Sequence, residues 1–543
     1  QCPAGAAFAC IPGPFGKGFP MLDTPGVYVQ EIPSGSAPIA GVATSNTAFI
    51  GILPRGPVGA ATRITSWGEY ERVFGGLNAG YETSYALRNY YLNGGSIAFV
   101  VRVADGATAA SVALPPGSGG ITLGALSPGA WGNSLRVGIA HAAGTGVTGF
   151  DLLIREYRGA DMIREEAYVG LSVTASHPRY VTRVLAAESR LVAVTAHTGG
   201  NLPDALQVSG SDIATIDGLR PLGAAALTAL TGGADGTLPG DNDTFAALTG
   251  TAYPAAINAL DAIVPDVFNL MCLPDLSVLG HSRRAAAAAV YQAANTCCER
   301  NFAFLVVDSL TGTTRANMAE WTAALGGAVR RNAALYYPLL SGPDPLNAVQ
   351  NRVMAASGAV AGIFARTDAA RGVWKAPAGT AAGVSGGRPV EVMTDPQQGP
   401  LNVQGVNVIR TFPVYNTVVW GARTLDGPDA LASEWKYIPV RRLALHIENS
   451  LLRGLQWVVF EPNDEPLWAS VRLNVTGFMS QLHRQGAFQG ASARDAFLVK
   501  CDSETTTQAD INLGILNILV GFAPVRPAEF VILRIQQRLQ TNA

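Results

Sequence analysis

The chain has 543 residues, 48% of them hydrophobic and only 14% charged, with a formal net charge of −2. That is enough chain for several domains and sizeable cores, at about one domain per ~150 residues. The near-neutral charge and the lack of a basic block leave no electrostatic footprint for nucleic acid, and no apolar run reaches the roughly 18 residues of a membrane-spanning helix.

Charged residues are well below the roughly 25% of an ordinary soluble chain. This fits either a surface covered by copies of the same chain or an Ala/Gly-rich coding bias. The six cysteines (Cys2, Cys10, Cys272, Cys297, Cys298, Cys501) have neither zinc-site nor CxxC spacing and read as reduced thiols in a cytosolic protein, a Cys2–Cys10 disulfide being the alternative for the first pair. Residues 1–20 are a Gly/Pro-rich extension without the basic start of a signal peptide, and they remain unassigned. The first predicted strand, 27–32 (Val27, Tyr28, Val29, Gln30, Glu31, Ile32), is bracketed by Pro25 and Pro33. It has no sequence-local partner, so its backbone groups need one from elsewhere.

From residue 48 the pattern becomes strand (48–53), helix (66–74), helix (82–92), strand (97–103). After an interruption it resumes with helix 253–264, strand 267–273, Ala-rich helix 282–300, strand 302–308, helix 314–330 and strand 333–339. Continuous apolar strands alternating with amphipathic helices predict a mostly parallel sheet covered on both faces. The interruption, 105–238, is rich in Gly, Ser, Thr and Ala with short strand-like runs at 135–140, 150–157 and 191–195, and reads as a β-rich insertion. Residues 341–389 read as loops around one helical piece at 351–365.

The chain is organised around residues 435–465. Leu443, Ile447, Leu451 and Leu455 recur every four residues and define one helix face, with Arg442, His446, Asn449, Arg453 and Gln456 largely opposite. Residues 457–460 read as a short buried strand, and Asn463 or Asp464 caps a second helix that has Pro466 in its first turn and stops at Gly486. Strands are predicted at 496–501 and 515–523, able to pair. A last strand, 528–537, is set apart by Pro524 and Pro527, and both of its faces are apolar.

An orphan strand thus stands at each end of the chain. Donation to neighbouring copies satisfies both, and a head-to-tail contact that does not close gives open helical arrays. The alternative is that both strands belong to the chain's own sheet.

The segments RRLALHIENSLLRGLQWVVFEPND (441–464) with PLW (466–468), GPLNVQGVNVIR (399–410), VVWGARTL (418–425), RGVWKAP (371–377) and PAEFV (527–531) resemble the tail sheath family of contractile phages, tailocins and related extracellular injection systems. The resemblance covers roughly residues 24–538 in the same order and is weakest over about 105–238. It implies a multidomain protomer of class α/β plus α+β. The expected parts are an N-terminal strand arm (21–38), a mostly parallel α/β middle domain (39–104 and 239–389), a β-rich outer insertion domain (105–238), an inner C-terminal α+β domain (390–524) and a C-terminal strand arm (525–543).

The arm residues are then Val27, Tyr28, Val29, Gln30, Glu31 and Ile32 at one end, and Glu529, Phe530, Val531, Ile532, Leu533, Arg534 and Ile535 at the other. Arg472, Gln481, Arg484 and Gln485 are the candidates to face an inner tube. The implied function is structural: many copies polymerise helically around the tube in an extended, metastable state, templated by a baseplate. They contract by rotating outward while the arms keep them linked. Implied partners are further copies, the inner tube protein, and baseplate and terminator or cap proteins. No cofactor, metal, nucleic acid or membrane insertion is expected, and assembly is expected in the bacterial cytoplasm.

Two other readings stand beside it, a static capsid or surface-layer protein and an α/β enzyme with its site at the strand C-termini. For the enzyme the sequence offers little beyond Pro274/Asp275, Asp308/Ser309 and Ser341/Gly342. The GxSxG match at 383–387 lacks the strand–turn–helix context of a nucleophile elbow. The carboxylates Asp235, Asp241 and Asp243 lack EF-hand spacing.

Overall fold

The computed structural model describes residues 38–114, 120–141, 148–248, 250–263, 265–530 and 532. The N-terminal strand at 27–32 and Val531, Leu533, Arg534 and Ile535 lie outside the described residues.

An eight-stranded sheet forms the centre, in the order Thr62–Ile64, Ala98–Val103, Thr47–Ile52, Leu270–Cys272, Phe304–Asp308, Ala333–Tyr337, Val406–Phe412, Asn416–Trp420. The six inner strands are parallel, and the two edge strands pair antiparallel. Every residue of Thr47–Ile52 and Ala98–Val103 is buried, because both faces are covered.

Alternate side chains feed two cores. On one face Ile50, Val101, Met271 and Leu305 meet Tyr253, Tyr291 and Trp321 from the helices Ala252–Asn258, Arg284–Arg300 and Met318–Leu325. On the other, Phe49, Val100, Phe304 and Tyr336 meet Tyr70, Tyr90 and Phe364 from Trp67–Phe74, Glu82–Leu92 and Ser357–Arg371. The last two helices cross closely: a Cβ at Gly358 would lie 2.1 Å from the Ala86 carbonyl oxygen, and one at Gly362 2.4 Å from that of Tyr90. Glycine four residues apart on one helix face is what permits that approach.

The mostly parallel sheet matches expectation, but its extent differs. The strands Val406–Phe412 and Asn416–Trp420 fall after the expected boundary at 390, yet they complete the central sheet. The helix expected over 351–365 is also corrected: Asn347–Met354 is a strand paired antiparallel with Leu340–Asp344, and the helix begins only at Ser357. Its start is set from afar, since the Asp308 carboxylate accepts from the amides of Ala356 and Ser357 at 2.9 and 2.8 Å.

Within 105–238 two antiparallel sheets, three- and four-stranded, share a core of Leu123, Leu135, Leu152, Ile154, Leu185 and Val192. Buried Arg55 ties this part to the central body through Glu156 at 2.8 Å.

In the last part Ile438–Gly454 and Glu465–Arg484 are helices, the second capped by Asp464 accepting from the Leu467 amide. Leu443, Ile447, Val471, Val475, Phe478 and Met479 make their core. Residues 457–460 are not a strand. Among the described residues no strand lies alongside, and the chain makes a short 3-10 turn at Gln456–Val458 before reversing at Phe460, whose φ of +73° and full exposure mark a strained corner.

The polar side of Ile438–Gly454 is buried in part, Arg453 being exposed. Arg441, Arg442 and Asn449 are buried, and Ile438 and Leu445 join the central core. Arg442 forms a two-pronged pair with Asp368 (2.6 and 2.9 Å), both side chains 3% exposed, which stitches this helix to Ser357–Arg371.

Candidate assembly surfaces

Phe497–Lys500 and Leu519–Phe522 form a two-stranded antiparallel sheet, Phe497 opposite Phe522 and Lys500 opposite Leu519. Period-two alternation sets its faces. Phe497, Val499, Val520 and Phe522 pack on the core of the last part, while Leu498 and Leu519 are 55% and 53% exposed. Among the described residues these strands are laddered only to each other. Two strands alone are marginal, and their outer edges carry backbone donors and acceptors that further strands can use.

The chain then leaves this sheet. Ala523 accepts from the Gln489 amide and Pro524 bridges to Phe488, after which residues 525–530 form no backbone ladder among the described residues. Phe530 and Ile532 are 72% and 79% exposed.

Between them and the strand, Glu529 is gripped. Arg423 donates to its two oxygens at 2.6 and 2.7 Å, Asn402 at 2.9 Å and the Tyr437 hydroxyl at 3.1 Å. Arg423 is 1% exposed and is itself fixed: it donates to the Asn402 carbonyl and to Asp429, and the Asn407 side chain accepts from its amide and donates to its carbonyl. Burial pushes the Glu529 carboxyl up, but the hydrogen bonds from Arg423, Asn402 and Tyr437 and the Arg423 charge outweigh it and hold the group below the ordinary carboxylate value. A cleft of about 780 Å³ adjoins the grip, walled by Trp374, Lys375, Phe412, Trp420 and residues 525–530.

Sequence reasoning placed Glu529 and Phe530 in an arm but missed Arg423, Asn402 and Tyr437. An arginine in the apolar stretch VVWGARTL was the available signal, because such a charge must find a partner.

The four candidate tube-facing residues do not behave alike. Arg472 is committed within the chain, pairing with Glu465 at 2.5 Å and donating to the Cys501 carbonyl. Gln481, Arg484 and Gln485 are exposed at the end of Glu465–Arg484. Trp374 and Lys375 of the RGVWKAP segment wall the cleft beside residues 525–530.

The strand-end carboxylates named for an enzyme are structural. Asp275, fully buried, accepts from the amides of Ile52 and Thr83 and the hydroxyls of Thr83 and Tyr253. Asp308, also fully buried, caps the helix described above, and burial pushes both carboxyls up to about 6. Ser385 of the GxSxG match lies in a loop held to Asn93. Asp241 and Asp243 pair with Arg283. Cys272, Cys297, Cys298 and Cys501 are free and buried. Among the described residues no group of three or more His, Cys, Asp or Glu is placed to hold a metal, and no helix is long and apolar enough to cross a membrane.

Residues 249–425 match the family model of the phage tail sheath protein central domain, and 432–538 that of the phage tail sheath C-terminal domain, together a little more than half of the chain. A putative prophage major tail sheath protein of Pseudomonas aeruginosa is 27% identical over 181 residues, 33% of this chain and 44% of that one. A tail sheath protein of Vibrio phage KVP40 is 25% identical over 240 residues, 42% of this chain and 34% of that one. The match therefore spans less than half the length of either relative.

Solved structures with a similar fold include the helical sheath of the anti-feeding prophage in its contracted state (TM-score 0.57, 24% identity, 95% of this chain and 99% of that chain). The PVC sheath complex of an extracellular contractile injection system, also contracted, is similar (0.56, 22%, 96% and 99%). A sheath tail protein from Listeria innocua is more distant in sequence (0.55, 13%, 90% and 96%).

Proposed function

The chain belongs to the phage tail sheath family, and from that premise we propose that it is the structural subunit of a contractile sheath. Copies polymerise helically around an inner tube and shorten to drive the tube through a target envelope. The observation that carries this reading is the sheet of Phe497–Lys500 and Leu519–Phe522, two-stranded among the described residues, together with residues 525–530, which leave it without a ladder. A protomer with open edges among the described residues and with Phe530 and Ile532 exposed gains by exchanging strands with other copies, and such a contact propagates without closing.

Work is then stored in the packing between copies: bodies shift between two arrangements while strand links persist. No nucleotide or metal enters this scheme. The arms are residues 27–32 and 529–535, and residues 390–524 with their small sheet form the inner part. Gln481, Arg484 and Gln485 are the tube-facing side chains, whereas Arg472 positions the helix that presents them. Baseplate and terminator proteins bound the polymer, and its copies assemble in the bacterial cytoplasm.

Deleting 530–543, which leaves the Glu529 grip in place, should give folded chain and no long cylinders in negative stain. Normal cylinders from the truncated chain would rule out the C-terminal arm. Contractility itself predicts two cylinder lengths from one preparation before and after a chemical trigger; a single fixed length would leave a static polymer.

A further inference from the structure

We propose that Phe460 is a docking knob whose seat is the aromatic cleft beside Trp374 and Trp420 in a second copy of this chain, with Glu461 meeting Lys375 at the rim. The contact deepens the polymer reading above and rests on it.

The backbone at the knob is an outlier. Among the described residues two aromatic residues have positive φ, Phe302 at +54° and Phe460 at +73°. A bulky side chain in that region costs energy that its surroundings must offset. Packing against the central core does so for Phe302. Phe460 has no such compensation: its ring is wholly exposed, and Val459 beside it is 62% exposed.

Nor is the corner slack. The Glu461 amide donates to the Val458 carbonyl at 3.2 Å, and Pro462 fixes the next φ. Asn463 accepts from the indole of buried Trp468 at 2.8 Å and donates to the Ile515 carbonyl at 3.0 Å. A braced turn that holds an aromatic ring in water is preorganised for a partner, because little freedom remains to be lost on docking.

The rim of the knob sets the chemistry of its seat. Glu461 is exposed beside the ring and makes no ion pair among the described residues. A matching seat has apolar ring faces and an unpaired cation. The cleft of about 780 Å³ has both. Trp374, Phe412, Trp420 and Tyr437 wall it, the Phe412 and Trp420 rings 4.7 Å apart and tilted by 56°. Lys375 and Arg526 also line it, and neither pairs with a carboxylate among the described residues. Burial, and then the Arg371 charge, hold the Lys375 ammonium below its ordinary value, so an incoming carboxylate is favoured there. The volume falls within the ~300–1,000 Å³ of sites that enclose a ligand. Phe460 is not among the residues that wall its own chain's cleft. Knob and seat are therefore two different patches, and a contact between them runs head to tail and repeats from copy to copy.

The test uses the full chain. Phe460→Gly removes the ring and adopts positive φ freely. Its urea midpoint in dilute chain should hold or rise, while the concentration needed for assembly, read by sedimentation, should rise about tenfold or more. Glu461→Lys and Lys375→Glu should each raise that concentration. Together they should return it to within about threefold of the unsubstituted chain. Arg526→Glu, at an exposed position, repeats the swap should Lys375→Glu lower the midpoint.

Unchanged assembly in Phe460→Gly would overturn the knob. Charge reversals whose effects simply add would overturn the cleft as its seat. A loss in Phe460→Gly confined to co-assembly with a tube protein would overturn a second copy as the occupant. Failure of the polymer reading itself has a separate signature, no cylinders from the unsubstituted chain under any assembly condition.

Discussion

The two sheets of this protein differ in how far one copy can finish them. The eight-stranded sheet has both faces buried and its late strands supplied by residues 406–420, so its core is complete within the chain. The sheet of Phe497–Lys500 and Leu519–Phe522 has one face on the core and two edges unladdered among the described residues. On the strand-exchange proposal, stability is then an affair of the first region and polymerisation an affair of the second. A substitution in one should leave the other's readout nearly untouched.

The largest effect is expected where the finished body is stitched. Asp368→Ala would leave Arg442 buried beside no countercharge, at a cost of about 3–5 kcal/mol. Urea unfolding of chain kept too dilute to assemble should show this loss in full. A change under about 1 kcal/mol would mean that the Ile438–Gly454 seam is held by its apolar contacts alone.

A second test probes the same seam by pH. Burial lowers the His446 pKa from its ordinary 6.5 to about 4, with Asp368 opposing and Arg442 adding to the shift; its Nδ1 is buried without a partner, and Phe478 lies across its ring. Because the folded state resists protonation, His446 contributes stability that is present above pH 6.5 and is lost as pH falls towards 4. The loss is on the order of 3 kcal/mol. Asp275 and Asp308 run the other way. Their carboxyls, raised to about 6, contribute stability that is present below the unfolded carboxylate range and lost as pH rises through 6. Net stability mixes both, so the informative quantity is the difference from His446→Gln, which should remove the loss between pH 6.5 and 4 and leave the rest of the profile. Identical profiles would mean that the imidazole is solvated in the fold.

The same division explains what could be read from the sequence. The central strands were legible because a doubly covered strand is a continuous apolar run, and Phe497, Val499 and Cys501 alternating with Leu498 and Lys500 announced a half-buried one. Illegible features depend on partners far along the chain. Arg442 read as a polar helix face because Asp368 lies 74 residues away. The Ser357–Arg371 helix starts late because Asp308, 49 residues earlier than Ser357, caps it. The Glu529 grip joins residues 106 apart. Local periodicity reports which residues seek burial, and it is silent on which buried charges find each other.

The smallest expected change in stability carries the sharpest test of the comparison. Leu498 is more than half exposed and points away from the core. Leu498→Asp should therefore move the urea midpoint of dilute chain by no more than the equivalent of about 0.5 kcal/mol. If added strands cover that face in the polymer, the leucine becomes buried there, a gain of about 1.5–3 kcal/mol that an aspartate forfeits. The concentration needed for assembly, read by sedimentation, should then rise about tenfold or more at each such contact. Equal midpoints with shifted assembly would locate polymerisation at the unfinished sheet. Equal midpoints with equal assembly would mean that its outer face stays open to water in the filament, leaving only the sheet's edges to incoming strands.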